Sequence, residues 1–232
     1  MRWFIAIGIG LFAVGFAHAA DDKLPAGISV DKDKKTVTVD AKVAPRKVLE
    51  EVYPLEVIAC WAYKKDPKPG DKAGKKAHET VLTIEVMPSD VAKAMGQLGA
   101  KPGKPGYGEE NAAEGPEVNI FIDVPQDGGT FKRLSLDKVL QDPKTKKPMP
   151  KGVKFKFTGS GPSKATPDRP AQEFGADTTG SLIYIFPVDV ETVFQSSLSM
   201  KEEKYLKLEV TKDTLPKEGE SVKLVIELAE KK

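Results

Sequence analysis

The chain has 232 residues, 40% of them hydrophobic and 30% charged, which is enough apolar side chain for one large domain or two small ones. Its 36 Lys and Arg nearly cancel 34 Asp and Glu, so no global field favours nucleic acid or an anionic membrane. A single cysteine, Cys60, rules out an intrachain disulfide and a four-thiolate iron–sulfur cluster, and two histidines leave too few ligands for a structural zinc site.

Residues Met1 to Ala19 are laid out as a signal peptide. Arg2 is its positive start and Phe4 to Phe16 its uncharged apolar run, shorter than the about 20 residues that a membrane-spanning helix needs. Ala17-His18-Ala19 offers small residues where a peptidase reads them. Cleavage after Ala19 is expected, with periplasmic or secreted localisation and no transmembrane segment left behind. His18 departs with the leader, so His78 becomes the only imidazole of the mature chain.

Short strands with turns between them follow. Ile28–Val30 and Thr36–Val39 flank the polar turn Asp31–Lys35 and predict a hairpin. Tyr53 to Trp61 reads as a strand with Leu55, Val57, Ala59 and Trp61 on one face and Glu56, Ile58 and Cys60 on the other. Lys64 to Lys76 is Lys-rich and reads as a solvated loop, as does Lys144 to Lys151. Val81–Val86 is the next strand. Pro88-Ser89-Asp90 starts a helix whose Val91, Ala94, Met95 and Leu98 recur at i, i+3, i+4 and i+7 before Gly99 stops it. Lys101–Gly106, with two prolines, is a loop.

Val118–Val124 alternates as a strand, and Leu136–Leu140 predicts a short helix beginning at Ser135. Val153, Phe155 and Phe157 alternate with lysines. Leu182–Phe186 is apolar on both faces and so reads as central. Leu206, Leu208 and Val210 alternate with charges, and Val222, Leu224 and Ile226 form the last strand. One strong helix among many strands disfavours a parallel βαβ array. The expected fold is α+β, a mainly antiparallel sheet with one principal helix (about 89–98) packed on it. Residues 20–199 form the main domain, and 200–232 a C-terminal β hairpin that belongs to it or is appended.

The chemistry on offer is sparse. A Cys–His mechanism would have to pair Cys60 with His78, which requires their strands to form a hairpin with Trp61 opposite Glu79. The plainer reading of Cys60 is a small core residue. Thr158–Gly161 and Thr178–Ser181 resemble fragments of phosphate loops but lack the full pattern and read as turns. Glu109/Glu110 and Asp123/Asp127 are carboxylate pairs of the kind glycosidases use, near in sequence only. Trp61, Tyr63 and Tyr107 offer rings for a sugar platform, although such aromatics more often complete a core.

The chain also resembles the YdjY-type domain of exported bacterial proteins. The resemblance rests on Ala44-Pro45, Lys76-Ala-His-Glu-Thr80, Pro88-Ser-Asp-Val91, Leu98–Gly103, Phe157–Ser160, Ala176-Asp177 and Gly180–Ile183, spanning about 43–195. It implies an exported domain of unassigned role. Some relatives carry a ferredoxin-like label, which implies clustered cysteines. The lone Cys60 departs from that, and iron–sulfur electron transfer is not carried over.

Lys76, His78, Glu79 and Cys60 are therefore the candidate ligand-binding residues, with no catalytic set and no metal or other cofactor expected. His78 and Glu79 are neighbours that can converge only if the backbone there is in loop geometry. The function expected is a non-enzymatic binding module for a small molecule, glycan or envelope protein, with no nucleic acid partner. The alternative is a hydrolase or metal-assisted enzyme centred on His78 and Glu79.

Overall fold

The structure is a computed structural model that describes residues 23–68, 70–110, 113–165 and 170–230. The predicted signal peptide lies outside these residues. In chain order the first elements are β1 (Ile28–Asp31), β2 (Thr36–Val43), β3 (Val57–Trp61), β4 (Thr80–Ile84), α1 (Pro88–Gln97), β5 (Glu117–Pro125) and β6 (Phe131–Ser135). Next come α2 (Leu136–Val139), β7 (Leu140–Gln141), β8 (Phe155–Phe157), α3 (Ala176–Thr179) and β9 (Ser181–Tyr184). β10 (Phe194–Ser196), α4 (Met200–Glu203), β11 (Glu209–Val210) and β12 (Ser221–Leu228) complete the chain.

The expected α+β fold, a sheet covered by a principal helix, is overturned. The sheet closes on itself as an eight-stranded barrel in the order β2-β12-β5-β8-β10-β9-β3-β4 and back to β2. The closing seam pairs Ala41 with Ile84, Lys42 with Thr83 and Val43 with Leu82. The physical reason for the difference lies in what covers the apolar face. An open sheet needs a helix over it, whereas a closed one buries that face against itself and leaves no ring strand with a free edge. β1 and β6 hang outside the ring on β2 and β5, and β7 pairs with β11 in a separate ribbon.

Alternation in the sequence becomes the barrel interior. Val39, Leu224 and Ile122 stand opposite one another across β2, β12 and β5. Phe194 lies between Phe157 and Ile183, its ring centroid 5.4 Å from that of Phe157. Fully burying such a side chain stabilises the fold by about 1.5–3 kcal/mol. β12 inserts between β2 and β5, so the end of the chain is a wall of the barrel.

Local chemistry sets the connections. The carboxylate of Asp31 accepts the backbone N–H groups of Asp33 and Lys34 at 3.1 and 3.0 Å, and Lys35 adopts φ 53° to complete the hairpin turn. The strand expected over Tyr53–Trp61 begins only at Val57, because Pro54 cannot donate to a ladder. α1 packs against β1, β2 and α3 through Val91, Ala94 and Met95, all fully buried. Its N-terminus has no capping side chain of its own. Instead Asp177, on α3, accepts the Ser89 N–H at 2.9 Å. Short strands β6 and β10 have no strong alternation and escape a reading by periodicity.

Candidate functional site

β3 and β4 run parallel, with Val57 level with Thr80 and Cys60 level with Thr83. The chain between them must therefore cross back along the barrel wall. It is stitched down on the way: Gly74 N–H bonds to Ala62 O at 2.9 Å and Lys75 N–H to Thr179 O at 3.0 Å. Ala77 then packs on Val57, Cys60 and Tyr184. A 3-10 turn, Ala77–Glu79, delivers the chain to β4 and presents Lys76, His78 and Glu79 beside the start of β3.

That turn allows neighbouring His78 and Glu79 to meet, which a strand would forbid. His78 Nε2 is 3.0 Å from Glu79 Oε1. Lys76 Nζ donates to Glu79 Oε2 at 2.8 Å and to Glu56 Oε2 at 2.9 Å. Arg46 adds its guanidinium to the carbonyls of His78 and Tyr53, and the Tyr53 ring stands edge-on to the His78 imidazole at 5.1 Å. The cluster is largely buried, Glu79 being 10% exposed and Lys76 27%.

Its charges answer one another. Burial raises the pKa of Glu56, and the Glu79 carboxylate beside it pushes the same way against the pull of Lys76. Burial works against the Lys76 ammonium, yet hydrogen bonds to Glu79 and Glu56 outweigh it and the pKa is raised. Burial lowers the pKa of Arg46, partly offset by Glu218 and Glu79. Glu56 and Arg46 are the members that sequence reasoning missed. They lie 20 and 30 positions before Lys76, and the only signal was an acidic residue on an otherwise apolar strand face.

Cys60 does not join this group. The hairpin needed to bring it to His78 is replaced by parallel pairing. Its thiol is fully buried, donates to Trp61 O at 3.1 Å, and is pushed up to about 12 by burial. Trp61 is likewise interior, 4% exposed, with Nε1 donating to Val86 O at 2.8 Å, so it offers no platform. Glu109 and Glu110 pair with Lys204 and Lys201, and Asp123 takes Arg133 in a two-toothed bond at 2.8 Å. Among the described residues no three His, Cys, Asp or Glu side chains converge where a metal ion could be held.

A concavity lies elsewhere. An open groove of about 680 Å³ runs over β2, β12 and the end of β4, bounded by Lys72, Met87 and Phe131. None of Cys60, Lys76, His78 or Glu79 lines it. Its polar residues come from five separate stretches of chain, which explains why no motif announced it.

The segments of the resemblance are mostly joints of the barrel. Thr158 Oγ1 bonds to Val193 O at 3.0 Å, Ser89 bonds to Asp177, and Gly180 lies against Trp61. The family model for the YdjY domain matches residues 28–227. Searches of the curated proteins and of the solved structures found no match. The chain belongs to the YdjY domain family.

Proposed function

We propose that this member of the YdjY domain family is a non-enzymatic binding module that works in the periplasm or after secretion and holds a small ligand, glycan or envelope protein in its groove. The observation that carries this reading is the contrast between two places on the barrel. The groove, about 680 Å³, falls within the roughly 300–1,000 Å³ of ligand sites and opens on a rigid closed sheet. The residues with reactive chemistry are instead tied to one another or, like Cys60, sealed. Arg2, the apolar run and Ala17-His18-Ala19 support export.

Thermal-shift screening of the purified protein against small metabolites and envelope glycans tests the reading. A ligand that binds the native state raises the melting temperature by mass action. The expected result is a response reduced by Lys42→Met or Phe131→Ala. A response that survives both changes and vanishes in His78→Ala would sink the groove.

A second reading has one specific observation behind it, the 3.0 Å approach of His78 Nε2 to Glu79 Oε1. A hydrolase or metal-assisted enzyme centred on this pair would use the imidazole to move a proton. Lys76 holds the other oxygen of the same carboxylate, which favours a structural role for it.

A further inference from the structure

Three ammonium groups (Lys42, Lys72, Lys223) and three carboxylates (Asp40, Glu85, Asp90) line the groove, so it carries no net field to select an ion of either sign. Four of them are arranged as two couples. β2 and β12 place Asp40 opposite Lys223, and Lys223 Nζ bonds to Asp40 Oδ1 at 2.5 Å. Lys42 Nζ reaches Glu85 Oε1 at 3.2 Å, and Lys72 Nζ donates to Glu85 O at 2.6 Å. An ammonium has three N–H donors and a carboxylate several lone pairs, so each couple keeps donors and acceptors to spare. Exposed ion pairs contribute little to stability and rearrange cheaply.

Between the couples the floor is strand backbone, since the side chains of Ile84, Ala41 and Val222 are buried in the barrel. The apolar group offered to solvent is Phe131, half exposed opposite Pro125 at the β5–β6 end. Phe131 is among the few large apolar side chains left in solvent on the described residues. A hydroxyl both donates and accepts, and a sugar ring has an apolar C–H face that lies on an aromatic ring. Resting on the groove reading, we propose that the ligand is an uncharged oligosaccharide, stacked on Phe131 and hydrogen-bonded by the Lys223–Asp40 and Lys42–Glu85 couples.

Calorimetric titration of the purified protein tests this with chitohexaose, cellohexaose and maltohexaose as neutral probes, and with dodecanoate and an extended hexapeptide as competitors of other chemistry. One neutral series is expected to bind, more tightly with chain length and without dependence on ionic strength. Phe131→Ala should weaken binding roughly tenfold, the upper end for one aromatic contact. Tyr205→Ala, also exposed but outside the groove, should leave it unchanged. Binding of dodecanoate or the peptide alone, lost in Lys42→Met, overturns the sugar and leaves the groove reading standing. Sugar binding indifferent to both Phe131→Ala and Lys223→Met overturns both, as does no binding by any probe.

Discussion

Gly180 lies flat against the indole of Trp61: a Cβ at that position would sit 2.4 Å from ring atom Cδ2, and the backbone there has φ 71°. Its carbonyl also accepts the Trp61 N–H at 3.0 Å, which fixes the turn before β9 onto the end of β3. The ring cannot retreat, because Nε1 is held by Val86 O. Gly180→Ala therefore combines overpacking with backbone strain and should cost about 3 kcal/mol or more. Gly99, at φ 79° with no heavy atom within 4 Å of its would-be Cβ, is the control. Gly99→Ala should cost only about 1 kcal/mol. Urea unfolding of the two variants measures the difference, and equal losses would defeat the packing argument.

Lys76 neutralises two carboxylates that the fold has partly buried. Lys76→Met should lower stability at neutral pH by about 2 kcal/mol, between the surface and buried limits for a broken ion pair. Glu56→Gln should cost less. The pKa of Glu56 is raised on folding, so the folded state binds its proton more tightly. That contribution favours the fold in acid and is lost as pH rises from about 4.5 through the higher folded value. The Lys76 pKa is raised above 10.5, so its contribution is complete below that value and lost as pH climbs through the folded pKa. The stability gap between wild type and Lys76→Met should therefore close in alkali, as chemical denaturation across pH will record.

Cys60 should be inert in the folded protein. With its pKa pushed up to about 12, the thiolate fraction at pH 8 is roughly one part in ten thousand. A thiol-specific disulfide reagent should label it only after denaturant is added. Rapid labelling of the native state would show that the wall over β3 opens.

Asp177 caps a helix from a distant part of the chain, so its removal should act as an N-cap deletion. Asp177→Ala is expected to cost about 1 kcal/mol with an unchanged denaturant slope. An unaltered midpoint would mean that the Ser89 N–H finds water at no loss.

Protein recovered from a secreting host should begin at Ala20. Intact-mass analysis that finds Met1–Ala19 retained would overturn cleavage and favour an anchored protein.

Much of this protein was legible in one dimension. Alternation marked Thr36–Val39, Val118–Val124 and Val222–Ile226, because a strand with one dry face must carry apolar side chains at every second residue. The turn at Asp31–Lys35 was visible through an aspartate that acts on its own backbone, and the block at Lys76–Thr80 through its imidazole beside a carboxylate. Neither signal says which strand is the neighbour of which. A period of two reads the same whether the dry face is covered by a helix or curls onto itself, so the closure of β2 onto β4 was hidden.

What the sequence by itself determined is the long alternating strands, their dry faces and a chemistry limited to one thiol and, after Ala19, one imidazole. Tertiary structure alone decided the rest. Parallel pairing of β3 with β4 put Glu56, not Cys60, beside Glu79, and so turned a possible reactive pair into a neutralised corner. Insertion of β12 beside β2 brought Lys223 to Asp40 and made one wall of the groove. Such partners are chosen by the summed burial of many side chains distant in sequence, a quantity that no local window of residues contains.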